Sequence, residues 1–288
     1  MWIRALPKHF LRLGLTILLG GLLGATLVRF APGFGADERE LDSRLSTQSI
    51  QVLRESHASQ RNILGYYRGY LGGLLRGDLG ISTSLERPVA ELFAQRLPVT
   101  LRSVGMGVAG GWLLGFFLAL PAGMFRWRNY EFLTASLSGL FLCLPAAVLG
   151  LAIVYAGGPA WVAIALVVFP RVFQYARNIF VQSSELPHVL AAHARGLRGT
   201  HIFLWHVLPN AAPLLLALGG ISVSMAFGAA IPIEAISDHP GIGQLTWQAA
   251  LSRDLPVLVN ITLLITVITL AANSVSDLAG RALARQRP

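Results

Sequence analysis

The sequence predicts an all-helical membrane protein with about six transmembrane helices, on three observations. Of its 288 residues only 13% are charged and 54% are hydrophobic, with a mean hydropathy of +0.59; soluble globular proteins carry about 25% charged residues. The apolar residues lie in runs long enough to cross the hydrocarbon layer, which takes roughly 20 residues per helix. The net charge of +9 and pI near 10.7 would point to nucleic acid in a soluble chain. Here the charges sit between apolar segments, so topology accounts for them and no nucleic-acid partner is expected.

The first apolar run is Leu13 to Val28, preceded by Arg4, Lys8 and Arg12. It resembles a signal peptide, with Gly33 and Gly35 able to mimic a small-residue cleavage site. The run is at the long end for such a segment and Arg29 follows it directly, so residues 1–30 are read as a cytoplasmic N-terminus and an uncleaved first helix. Residues 31–96 are read as an extracytoplasmic loop. Its long polar stretch from residue 36 balances acidic against basic residues, from Asp37 and Arg39 to Glu91 and Arg96.

Further spans are expected at 99–124, 132–155, 159–180, 212–235 and 256–280, within a transmembrane core covering 97–288. Their short connections alternate in charge. Arg126 with Arg128, then Arg177, Arg195 and Arg198, and finally Arg281, Arg285 and Arg287 fall on one side, which the positive-inside rule makes cytoplasmic. Six spans with both termini inside put the Gly157-Gly158-Pro159 turn and the 236–255 loop outside.

Inside the spans, Gly107, Gly111 and Gly115 recur at steps of four, as do Gly20 and Gly24. Small residues so spaced let helix backbones approach closely in lipid, and they are read as packing rather than chemistry. Cys143, the single cysteine, can form no intramolecular disulfide and is read as a small packing residue. Arg171, after Pro170, interrupts the fourth span. An intramembrane arginine flags function, but this one is read as snorkelling to the cytoplasmic surface.

Chemistry is sparse. Lys8 is the only lysine, so no phosphate-cradling GxxxxGK[ST] loop exists and ATP hydrolysis would have to come from a partner. No Ser-His-Asp arrangement or HExxH occurs. His193, His201 and His206 lie eight and five apart without a neighbouring Cys or carboxylate, unlike the tight ligand pairs of zinc sites. They are read as interfacial polar groups, and no metal or cofactor is expected in this chain.

One polar island remains, AAHARGLRGTHIFLWHVLPN at 191–210, in the largest cytoplasmic connection at about 183–211. Ala191, Ala192 and Ala194 favour a helix, and IFLWHVL can form a second with an apolar face, which Pro209 helps end before the fifth span. Gly196 is either a turn residue with positive φ or a small residue at a crowded contact. A helix-turn-helix knob on the inner surface is a docking element for another protein.

That island resembles the EAA loop of binding-protein-dependent ABC importer permeases, whose pattern is EAA, three residues, G, nine residues, I, one residue, LP. Ala191, Ala192, Gly196, Leu208 and Pro209 fall on this spacing, while Leu190 and His206 occupy the Glu and Ile positions. HVLPNAAP is similar to the variant of the dipeptide, oligopeptide and nickel branch. YLGGLLRGDLGIS at 70–82, RPVAELFAQRLPVTLRS at 87–103, IEAISDHPGIGQL at 233–245, RDLPVL at 253–258, and Asn273 with Asp277 resemble other family segments in the same order. Two regions depart from it: 150–175 looks short, with a bare GGP connection, and the chain ends ARQRP where relatives have Asp-Pro-Arg.

The resemblance implies a type I importer-like permease fold in the bacterial cytoplasmic (inner) membrane, surrounded by lipid. It implies a second permease subunit, two ATP-hydrolysing subunits that hold ATP and Mg, and an extracytoplasmic solute-binding protein. The five motif residues would couple the permease to an ATPase, and peptides or related small solutes would be the cargo. A degenerate permease kept as an assembly scaffold is one alternative. A stand-alone proton-coupled carrier is another, which the position of Glu234 and Asp277 near span ends disfavours.

Overall fold

The computed structural model describes residues 76–125 and 127–285, together with 72–74 and the isolated positions 14, 19 and 26. The first span and most of the 31–96 loop lie outside the described residues. The helices are α1 (Val89–Phe125), α2 (Arg128–Cys143), α3 (Ala146–Tyr155), α4 (Ala160–Ser184), α5 (Pro187–Ala194), α6 (Gly199–Ile202), a π-helical turn over Phe203–Val207, α7 (Leu208–Ile236), α8 (Ile242–Leu251) and α9 (Leu255–Arg285). Among the described residues, four stretches are long and apolar enough to cross a membrane: Val89–Phe125, Ala160–Ser184, Gly199–Ile236 and Leu255–Leu283. Each covers one of the expected spans, that at 159–180 from its second residue on.

The span expected at 132–155 is not one straight helix. α2 and α3 meet at 96°, so the described residues hold four spans, or five if this bent pair makes one. The break lies at Leu144 and Pro145, both extended, with ψ of 124° and 144°. Proline has no N–H to give the preceding turn, and its ring pushes the residue before it out of the helical region. Cys143, at the end of α2, is exposed. Within this chain it is not the packing residue that its apolar neighbours indicated.

The chain divides into two compact units, residues 1–96 with 246–267 and residues 97–245 with 268–288. In the first, Asp254 clasps the 76–88 turn. It accepts hydrogen bonds from Ser82 Oγ (2.5 Å), Ser84 N (3.0 Å) and Ser84 Oγ (2.7 Å), and caps α9 through Val257 N. Burial alone would push its carboxyl up, but the donors outweigh burial and hold it below the usual aspartate range. Asn260 adds a second tie, donating to the Leu79 carbonyl at 2.8 Å.

The second unit is a bundle in which α1 packs on α4 through its glycines. A Cβ at Gly107 would lie 2.5 Å from Ile164 Cγ2, one at Gly111 2.8 Å from Val168 Cβ, and one at Gly115 2.7 Å from the Phe169 carbonyl. Steps of four on α1 thus meet steps of four on α4, the close approach that small residues permit where lipid supplies no hydrophobic drive. Trp112 Nε1 donates across to Ser222 Oγ on α7 at 3.0 Å. Asn273 on α9 lies against Gly220 of α7.

The C-terminal end of α7 is pinned by its own acid. Glu234 is fully buried, and its Oε2 accepts from Thr100 Oγ1 at 3.0 Å and Gly243 N at 2.7 Å. Thr100 Oγ1 in turn accepts from Ile242 N at 2.7 Å. The Pro-Gly-Ile-Gly turn is thereby folded back on α7 and α1. Its glycines leave room for the carboxylate, since a Cβ at Gly241 or Gly243 would collide with it.

Candidate functional site

The 187–208 segment forms the knob expected from its sequence, and its turn is fixed by backbone geometry. α5 ends at Ala194, Gly196 adopts φ +77°, and Leu197 N donates to Ala192 O while Gly196 N donates to His193 O. This paired closure is a Schellman cap, in which a left-handed residue satisfies the last carbonyls and glycine carries no Cβ penalty. A side chain at Gly196 would meet nothing within 4 Å. Of the two roles open to Gly196, its positive φ supports the turn, and within this chain no neighbour crowds it.

The second arm of the knob does not end before the fifth span. Gly199–Ile236 is one continuous helical stretch, and Pro209 lies in the first turn of α7 instead of closing the preceding helix. The π turn makes this possible. Leu208 N bonds back five residues to Phe203 O, and the widened turn accommodates a proline whose missing N–H and ring would otherwise break an α-helical ladder. The second arm of the knob and the α7 span are thus continuous in one helical stretch.

Beneath the knob lies a shared core. Val189, Ala192, Ile202, Phe203 and Val207 are buried against Ala119 of α1, Phe173, Ala176 and Phe180 of α4, and Ala211 and Leu215 of α7. The rings of Phe203 and Phe180 meet edge to face at 5.1 Å, and Phe180 meets Phe116 of α1 at 5.7 Å. Outward, the knob shows Leu190, Leu197, Leu204 and Trp205 (70% exposed) beside Arg195 and Arg198. Apolar side chains interleaved with cations suit a partner surface that offers grooves and acidic groups.

Residues 111–287 match the family model described as the binding-protein-dependent transport system inner membrane component. The chain belongs to this family. This family member is 27% identical over 306 residues to a Brucella ovis protein carrying the name peptide permease, across 94% of this chain and 95% of that one. To the glutathione transport system permease protein GsiC of Escherichia coli K12 it is 24% identical over 294 residues, 94% of each chain. A solved structure of the MetNI methionine ABC transporter in inward-facing form superposes with a TM-score of 0.58 at 17% identity, over 67% of this chain and 96% of that one. The permease fold expected from the sequence is thus shown, and the chain is a multi-pass inner-membrane transport subunit.

The five motif residues of this permease occupy different environments. Ala191 and Gly196 are exposed, Ala192 is buried in the core under the knob, and Leu208 and Pro209 are half-buried. Two of the five are thus open at the surface, and Ala192 and Leu208 belong to the core under the knob. The exposed Leu190, Leu197, Leu204 and Trp205 were missed by motif spacing. Leu190 had registered only as a departure from the Glu position. The histidines regroup as well: His188 and His206 rings are 6.4 Å apart, His201 and His206 6.3 Å, while His193 bonds to the Val189 carbonyl of its own helix.

Proposed function

We propose that this permease imports peptides or related small solutes across the cytoplasmic membrane, with the 187–208 knob docking an ATP-hydrolysing partner. One observation carries the reading: an exposed apolar and basic surface stands on a core that reaches α1, α4 and α7 at once. A load on the knob is shared by three long helices. The names of the two relatives support peptides as cargo. The full assembly is a second permease, two ATPases holding ATP and Mg, and an extracytoplasmic binding protein. Ala191 and Gly196 meet the ATPase, and Ala192, Leu208 and Pro209 hold the knob in place.

The turn geometry supplies the test. Gly196→Ala forces a Cβ into the left-handed region, at a cost of roughly 1–2 kcal/mol, while Gly196→Asn tolerates that region and Gly196→Asp matches Asn in shape but adds a negative charge. Beside Arg195 and Arg198, Asp opposes an acidic partner. In purified complexes, Asn is expected to keep near wild-type stimulation of ATP hydrolysis by loaded binding protein, Ala to lose part of it, and Asp nearly all. An Asp variant with full ATPase binding and stimulation would remove the knob from the coupling path.

Both termini are cytoplasmic in this proposal, which fixes the sides of the connections. In a background with Cys143 replaced by alanine, a cysteine at Tyr155, 94% exposed next to the Gly-Gly-Pro turn, is expected to react with an impermeant thiol reagent in intact spheroplasts. A cysteine at Arg198 reacts only after permeabilisation. The reverse pattern would invert the topology.

A further inference from the structure

We propose that the polar face of α4 around Arg171 is a subsite for a substrate carboxylate on the translocation path, an inference that rests on the importer function proposed above. Arg171, Gln174, Tyr175 and Asn178, with Leu142 of α2, line a cavity of about 480 Å³, within the size range of small-molecule sites. The first four recur at helical spacing on one face. The opposite face of the same turns, Val172, Phe173, Ala176 and Phe180, is buried.

The charge makes this face unsuited to lipid. α4 runs from Ala160 to Ser184, so at 1.5 Å per residue Arg171 lies about 16 Å from one end and about 20 Å from the other. Arg171 follows the apolar run 160–170 and opens the polar half of the helix, which continues through Gln174, Tyr175, Arg177 and Asn178. Intramembrane arginines face a partner or a water-filled cavity. Arg177, six residues on, has its partner in Glu131 at 2.9 Å. Arg171 is exposed and forms neither an ion pair nor a hydrogen bond among the described residues.

The neighbouring groups complete the chemistry of a peptide end. A guanidinium binds a carboxylate through two parallel N–H donors. Gln174 is steadied by donating Nε2 to Ser138 Oγ at 3.1 Å, and Ser138 donates to the Pro170 carbonyl at 3.2 Å. Its amide oxygen remains an acceptor for a peptide N–H. Asn178 accepts from Arg177 at 3.2 Å and retains its amide donors. Tyr175, 53% exposed, adds an aromatic face with a hydroxyl.

Trialanine and its C-terminal amide differ in that one group. Their binding to the complete transport complex in nanodiscs, without binding protein, should favour the free acid about 10- to 100-fold, the range of a hydrogen-bonded charge pair. Arg171→Gln should erase that preference by weakening the acid alone, and Arg171→Lys should leave an intermediate one. Equal binding of acid and amide to the wild-type complex overturns the subsite, and that comparison stands even where Arg171→Gln fails to assemble. Equal weakening of both peptides, or loss of subunit pairing, assigns Arg171 to the contact with the second permease instead. If trialanine does not bind while loaded binding protein still stimulates ATP hydrolysis, the subsite fails and the importer stands. If stimulation is absent as well, the importer function itself fails.

Discussion

Phe180→Ala is expected to lower the melting point of the purified subunit and to uncouple ATP hydrolysis from transport. Phe180 is fully buried and touches Phe203 of the knob and Phe116 of α1 edge to face, so it lies where movement of the knob meets the bundle. Truncating a buried phenylalanine costs about 3–5 kcal/mol through lost burial and the cavity left behind, with more lost here as each aromatic pair adds about 0.5–1.5 kcal/mol. The backbone beside it leaves little room to collapse, since a Cβ at Gly123 would already stand 2.8 Å from Phe180 Cβ. Phe180→Leu fills most of the space and keeps the subunit assembled, but removes the ring contacts. With Leu, the ATPases should still bind while substrate moved per ATP falls. Wild-type melting and wild-type transport for the alanine variant would show that the knob is not mechanically joined to α4.

The parts of this fold that depend on local composition were legible in the sequence. Spans announce themselves by apolar length, and four of the six expected ones appear as continuous helical stretches among the described residues; the glycines at 107, 111 and 115 announce themselves by spacing and came out as read. Gly196 was narrowed to two roles, and its φ supports the turn. Proline misled at Pro145, which breaks an expected span, and at Pro209, which ends no helix. Pro98, Pro121, Pro170, Pro213 and Pro232 all lie inside helices, while Pro145 starts a new one at a sharp angle. A proline breaks a helix only where packing does not hold the neighbouring turn, and that depends on residues far away in the chain. Pro209 looked like a stop because a π turn is invisible to a 3.6-residue period.

The candidate site was legible as a segment but not as a surface. Motif spacing located the knob, yet it could not separate Ala191, which faces out, from Ala192, which is buried. Which face of a short helix is covered depends on Phe173 and Phe180 of another helix. The two buried acids were hidden for the same reason. Glu234 is joined to Thr100 across 134 residues and Asp254 to Ser82 across 172, separations at which no periodicity carries information.

Glu234→Ala is expected to be among the most destabilising single changes in this permease, and its cost should be shared with Gly241. Removing the carboxylate leaves the Gly243 N–H buried without an acceptor, at about 1–3 kcal/mol, and takes an acceptor from Thr100 while opening a cavity. Glu234→Gln preserves the shape and one acceptor oxygen and should retain most of the stability. Gly241→Ala on its own should be severe, because the new methyl group collides with the Glu234 carboxylate and would lie 2.5 Å from Thr100 Oγ1. In a Glu234→Ala background the larger obstacle is gone, so the same methyl group enters vacated space. Neighbouring substitutions that share one cavity are non-additive by about 0.5–3 kcal/mol, and here the double variant should melt well above the sum of the two single losses. Thermal melting of the four purified proteins decides it: strict additivity would mean that the Pro-Gly-Ile-Gly turn does not rest on Glu234, and that some other contact fixes the end of α7.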